Sequence, residues 1–181
     1  MDQYLEVLMQ SKNFPRNYDA AMVRDIRLYP ITPDSFPLIH EELVILGSAV
    51  DAVAYVQDST ERLHREHTLV FYGEQRVASS FLRDYSIAIG DVSSATFQRD
   101  QLKEAKRTYK KPDGAVVYAH SHVALGDYYN CFSVSDLLFI IEQATTYQRD
   151  VYAMLITKDG ASPIKYSYAE NEFYRIRIVI A

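Results

Sequence analysis

Residues 115–141 read AVVYAHSHVALGDYYNCFSVSDLLFII, and the fold turns on how this stretch is divided. Its first five residues, AVVYA, are small, β-branched or aromatic and follow the turn Pro112-Asp113-Gly114. Such a run predicts a short central strand over Ala115–Ala119. Its last five, LLFII, open an apolar segment that continues to Gln148. That segment predicts a helix from Leu137 to Gln148, with Ser135 or Asp136 near its N-terminus. A strand therefore runs into His120-Ser121-His122, and a helix departs from Ser133-Val134-Ser135-Asp136. Ten loop residues, VALGDYYNCF, join them.

On the upstream side, Thr68 to Tyr72 (TLVFY) predicts a buried strand ending at Gly73, and Val77 to Ile89 carries further strand-like stretches. Residues 97–111 are polar, basic and rich in good helix formers, which predicts a helix. Leu43, Leu46, Val50, Val53 and Ala54 follow helical steps, so a long helix is expected from Glu41 to about Arg65, weakened at Gly47. Residues 28–37, LYPITPDSFP, hold three prolines and predict an extended connector. Before it, Tyr4, Leu5, Leu8 and Met9 fall at helical steps within Met1–Gln10. Residues 1–37 are thus expected to form an N-terminal helical arm with a proline-rich connector, and 38–181 the main domain. Downstream, Val151 to Thr157 predicts a strand, and Ile164–Tyr168 with Phe173–Ile180 a closing hairpin. The order of helices and strands predicts an α/β (α+β) domain built around a mixed sheet.

Composition narrows the functional classes. The chain has 181 residues, 48% hydrophobic and 24% charged, which is ordinary globular composition. A chain of this length buries roughly 70% of its unfolded surface, so it needs no cross-link to fold. Cys131 is the single cysteine, which excludes an intramolecular disulfide and Cys-rich zinc folds. A net charge of -5 argues against a broad nucleic-acid-binding face. No apolar run reaches the ~18 residues of a membrane span, and MDQYLEVLMQ lacks the pattern of a secretory signal. A cytoplasmic protein with no membrane or nucleic-acid partner is the expectation; the oligomeric state is left open.

Two histidines at i and i+2 on an extended chain point the same way, so His120 and His122 can reach one metal ion. Two polar surface residues would look the same. Asp136 at a helix start makes a good third ligand, because the helix backbone fixes its place. Ser133, Ser135 and Asp136 also suit helix capping, and both roles can hold together. Two histidines and one carboxylate, with a fourth position for water, form a catalytic zinc arrangement rather than a closed structural one. A metal-bound water needs a proton acceptor, and Glu66, at the entrance to TLVFYG, is the candidate; a solvated surface acid would also stand there. Cys131 reads as a small loop residue rather than a thiol nucleophile. A Ser-His-Asp triad from Ser121 or Ser133 would need a geometry that adjacent residues rarely supply. His40, His64 and His67 have no partner pattern and read as surface or packing residues. Lys103, Lys106, Arg107, Lys110 and Lys111 read as a solvated helix face, or one that docks an acidic partner. In the loop, Tyr128, Tyr129 and Phe132 with a hinge at Gly126 either cover the cleft or pack down onto the domain.

Taken together, Glu66 with Gly73 seven residues on, His120-Ser121-His122, and Ser133-Val134-Ser135-Asp136 resemble the JAB1/MPN/Mov34 (JAMM) metalloprotease family over about residues 50–160. The resemblance implies an MPN-like (cytidine-deaminase-like) mixed sheet flanked by helices, with a zinc site at the strand-to-helix junction. It implies one Zn2+ held by His120, His122 and Asp136, with Glu66 as general base and Ser133 stabilising the oxyanion. It implies a peptidase, isopeptidase or deubiquitinase-like hydrolase acting on a protein or peptide amide, at the C-terminus of a ubiquitin-like or similar small protein. Val123 in place of the usual proline, Leu69 in place of a frequent glycine, and a long stretch between His122 and Ser133 point to a divergent bacterial or phage-type branch. The longer stretch leaves open whether Ser133 or Ser135 faces the metal. A non-catalytic MPN-like scaffold and a zinc hydrolase of a small amide are the alternative readings.

Overall fold

The computed structural model describes residues 3–14, 26–91 and 96–181. Met1, Asp2 and residues 15–25 of the expected arm lie outside them. Nine strands and four α-helices alternate along the described chain. The central strand β5 (Gly114–Ser121) is buried at every residue, as its continuous apolar reading demands. It pairs antiparallel with β3 (His67–Arg76) and parallel with β7 (Val151–Thr157). From β3 the sheet passes to β4 (Ser79–Ile89) and then to β2 (Leu38–Ile45). From β7 it passes to β8 (Gly160–Ser167) and β9 (Glu172–Ile180). β9 then pairs parallel with β2, so the mixed sheet closes into a seven-stranded barrel.

The expected long helix from Glu41 to Arg65 is corrected by β2. Leu38–Ile45 is a strand, and the helix α2 spans only Ser48–Leu63. Leu43 and Ile45, two residues apart, share one core cluster with Leu82 of the neighbouring β4 and Leu69 of β3. Leu43, Leu46 and Val50 happen to fit helical steps as well, which is why local periodicity misleads. β2 draws its hydrogen-bonding partners from β4 and β9, far away in sequence. Gly47, at φ +56°, makes the sharp break between strand and helix. A second correction concerns Gly73, which does not end its strand. β3 runs on to Arg76, with a bulge between Tyr72 and Gly73. A side chain at Gly73 would place its Cβ 1.9 Å from the Phe81 carbonyl oxygen, so only glycine fits.

The two faces of the sheet carry separate cores. On one, Ala49, Ala52 and Val56 of α2 meet Leu69, Phe71, Val117 and Met154. On the other, Val116, Tyr118 and Val70 pack with α3 (Arg99–Tyr109), α4 (Val134–Tyr147) and α1 (Gln3–Gln10). Alternation along β5 divides the strand between these cores, and sends His120 to the side of Tyr118 and α4. Leu8 and Phe14 belong to the second core. The connector is not simply extended: its short strand β1 (Pro30–Ile31) pairs antiparallel with β6 (Phe132–Ser133), just before α4. Helix α4 begins at Val134, three residues earlier than the sequence predicts, because Ser133 is its N-cap.

Candidate metal centre

His120 and His122 sit at the end of β5, where the strand still fixes them. His120 lies opposite Thr68 in β3, and the His122 backbone N–H donates to the Ile156 carbonyl over 3.1 Å. Glu66 lies two residues before Thr68, the partner of His120, and its carboxyl interacts with His120 and Asp136. The Glu66 backbone is held in turn by the Gly90 N–H (2.7 Å) and by its own N–H to Asp91 (2.8 Å). Asp136 arrives from the first turn of α4. Its carboxylate Oδ2 accepts from the Ser133 N–H at 2.7 Å and from the Ser133 hydroxyl at 2.8 Å. The Ser133 Oγ accepts the Asp136 N–H at 3.2 Å. This reciprocal cap satisfies helix-end donors and fixes the carboxylate at once.

Three acceptor atoms converge there. Nε2 of His120 lies 3.0 Å from Nε2 of His122 and 3.5 Å from Asp136 Oδ2. One ligand atom from each residue falls within 4.8 Å of the other two. A tetrahedral ion with arms of about 2.0 Å wants its ligands about 3.3 Å apart, so the group can hold a metal ion. His122 is prepared for this by its other nitrogen. Nδ1 faces the Tyr129 carbonyl at 3.0 Å, and that contact requires Nδ1 to carry the proton. Nε2 is therefore left with its lone pair, aimed at His120.

The electrostatics fit a cation-seeking group. Burial, together with the charge on His120, lowers the His122 pKa to about 4, so it stays neutral. Burial also works against a charge on His120, but the adjacent Asp136 carboxylate and Glu66 outweigh it and raise its pKa. Asp136 suffers burial too, yet His120 and the two Ser133 donors hold it well below the usual carboxylate range. A proton on His120 or a cation would bridge these atoms. Glu66 stands apart from this pairing. Burial pushes its pKa up to about 7, with His120 lowering it and Asp136 raising it.

Glu66, His120, His122, Ser133, Ser135 and Asp136 all line one open cavity of about 380 Å³. Leu28, Pro30 and Tyr128 form other parts of its wall, so the connector borders the site without entering the ligand group. The Ser133 hydroxyl is engaged with Asp136, while Ser135 is exposed. Ser121 points to the other face of β5, where its Oγ meets Thr60 Oγ1 at 2.6 Å and accepts the His67 N–H at 2.8 Å. No triad is formed through it. Instead it bolts β5 to the residue after Glu66, a positioning role that sequence reading misses because the contact joins positions 67 and 121. His67 itself is buried against Ser59 and Thr60 at 3.1 Å each. Cys131 is buried, and burial raises its thiol pKa. His40 and His64 are exposed, as are Lys103, Lys106, Arg107, Lys110 and Lys111.

No protein-family model matches this chain, and no curated protein matches it. Fold and site define a mixed α/β barrel protein with a His-His-Asp group able to hold a metal ion. Among the described residues no helix is long and apolar enough to cross a membrane.

Proposed function

We propose that this protein is a JAMM-type zinc metallopeptidase with an MPN-like fold, which hydrolyses an amide bond of a protein or peptide. One observation carries the reading: three ligand atoms converge within 4.8 Å on the same cavity wall as a glutamate whose pKa is raised to about 7. The donor set, two imidazoles and one carboxylate, suits zinc in a catalytic rather than a structural site. Zinc held there would supply Lewis acidity, acidifying a water and polarising a carbonyl oxygen. Glu66 takes a proton on its carboxylate and returns it to the departing amine, a task suited to a carboxyl poised near neutral pH. His122 stays neutral and oriented through Tyr129, and Ser133 holds Asp136 in place by two hydrogen bonds. A serine hydroxyl, from Ser133 or Ser135, meets the oxyanion.

Elemental analysis and an amide-substrate panel test this together. Purified protein should carry about one zinc, the stoichiometry of a single site. Asp136→Asn keeps an acceptor for the Ser133 N–H, so the helix cap survives while zinc is lost. Full zinc in that variant would remove Asp136 from the site. Ser133→Ala and Ser135→Ala, compared at zinc saturation, show which hydroxyl serves the reaction. Absence of hydrolysis by zinc-loaded protein on every amide tried would favour the scaffold reading.

A further inference from the structure

Behind the ligand group lies a second cavity, of about 260 Å³, which shares His120, Phe132, Ser135 and Asp136 with the first. Beyond that shared rim its wall is mostly apolar. Phe97, Leu102, Tyr118, Phe139 and Ile140 form it, with Ala153 of β7 between them. Three of the rings make a rigid box. Phe97 stacks on Phe139 at 4.9 Å, and Tyr118 meets their edges at 5.3 and 5.1 Å. The Tyr118 hydroxyl is already given to Gln143 at 3.2 Å, so Tyr118 offers the cavity its ring. The space is a cleft half open to solvent, which an apolar group of a ligand can enter and so leave water. A cavity of about 150 Å³ already takes benzene.

We infer that this cavity is a side-chain subsite, which receives a bulky apolar residue, aromatic or branched, flanking the amide that the metal centre cleaves. The inference rests on the metallopeptidase reading and narrows its substrate class. A ubiquitin-like tail ending in glycine would leave the aromatic box empty. A phenyl or isobutyl group fills it while its backbone passes the shared rim at His120, Ser135 and Asp136. Three of the four shared residues, His120, Ser135 and Asp136, are polar, while Thr96 is the one polar residue beyond them, which orients an apolar guest side chain inward.

The test uses zinc-loaded full-length protein and the hydroxamates of N-acetylglycine, N-acetylleucine and N-acetylphenylalanine, with affinity measured by calorimetry. The leucine or phenylalanine probe should bind at least ~10-fold more tightly than the glycine probe, the scale of apolar discrimination in such pockets. Leu102→Trp, which fills the cavity from α3, should shrink that preference to less than twofold and leave glycine-probe affinity unchanged. Should that variant fail to fold, Thr96→Trp makes the same comparison, since Thr96 is an exposed residue of the cavity wall. A separate reading needs no metal. Fluorobenzene, followed by 19F NMR, should bind saturably to the unsubstituted metal-free protein and lose binding in the tryptophan variant; on zinc-loaded protein the phenylalanine probe should displace it. Equal affinity for all three hydroxamates at full zinc occupancy overturns the subsite alone. So does a preference unchanged by tryptophan, or fluorobenzene binding that the phenylalanine probe does not displace. Absence of hydroxamate binding at full zinc occupancy overturns the metallopeptidase reading and the subsite with it.

Discussion

Two clusters bury charge at opposite ends of β7, and they do so in opposite ways. At its start, Lys165 donates to Glu41 at 2.8 Å and pairs with Asp150 at 2.9 Å. The Tyr152 hydroxyl donates to the second Glu41 oxygen and accepts from Gln75 at 3.0 Å. Burial opposes the charge on Lys165, but its two carboxylate partners outweigh it and raise its pKa. Donors there meet acceptors. At the other end of the strand, His120, His122 and Asp136 aim acceptors at one another, and Glu66 adds a carboxyl whose charge the fold resists. The first cluster completes itself; the second is completed only by a proton or a cation. Their difference shows that buried charge by itself is satisfied within the fold in one cluster, while convergent acceptors leave the other able to take a cation.

Removing one partner from the self-completed cluster should give the largest effect. Lys165→Met leaves Glu41 and Asp150 buried or half-buried without their cation, and should cost about 3–5 kcal/mol of stability. Denaturant unfolding checks this, and zinc content of the folded fraction should not change. A loss under ~1 kcal/mol would place the two clusters in one class and break the contrast. Glu66→Gln probes the other cluster. Amide hydrolysis should fall at least ~100-fold with zinc retained. Stability should move the other way from that of the lysine variant. The folded pKa near 7 exceeds the ordinary 4.5, so the folded state holds a proton that the unfolded chain releases. Measured without metal, unsubstituted protein thus loses stability as pH rises from about 4.5 to 7, and Glu66→Gln should escape that loss. Melting temperatures at pH 5 and pH 8 for both proteins decide it. Equal shifts at both pH values would show that the Glu66 charge costs the fold nothing.

A smaller effect separates the two loop tyrosines. Tyr129 ties the loop down: its hydroxyl donates to Asp159, its ring lies under Lys158, and its carbonyl orients His122. Tyr128 is 60% exposed on the cavity wall. Tyr129→Phe should therefore lower the melting temperature slightly and leave substrate affinity alone, while Tyr128→Ala should weaken substrate binding a few-fold at constant stability. The reverse pattern would make Tyr129 the substrate contact. The smallest effect belongs to His67, a buried histidine that completes neither cluster. Burial lowers its pKa below 6.5. A depressed histidine contributes stability above 6.5 that is lost as pH falls through the folded value. His67→Gln should flatten part of the acid limb of the melting-temperature profile, and an unchanged limb would assign it elsewhere.

Much of the His-His-Asp group was legible because its parts are local. The i, i+2 spacing of His120 and His122 follows from an extended chain, and Asp136 from a helix start, so short stretches of sequence suffice. What stayed hidden depends on long-range pairing. Residues 41–45 read as helix until β4 and β9 supply their partners. Closure of the sheet is carried by no motif. The Ser121–His67 contact, the aromatic box from Phe97, Tyr118 and Phe139, and the Glu41–Lys165 pair each join residues brought together only by the barrel. Nor did the serine pattern reveal that the Ser133 hydroxyl is committed to Asp136.

The parallel pairing of β2 with β9 also sets an order of events during synthesis. Ile45 and Glu172 are separated by roughly 130 residues, which a ribosome takes about 6–25 s to add at typical rates. Throughout that interval one hydrogen-bonding edge of β2 has no native partner, and an unpaired edge templates pairing with other chains. The charges of Glu41 and Glu42 are what the strand itself carries to keep that edge from the wrong neighbour until β9 emerges.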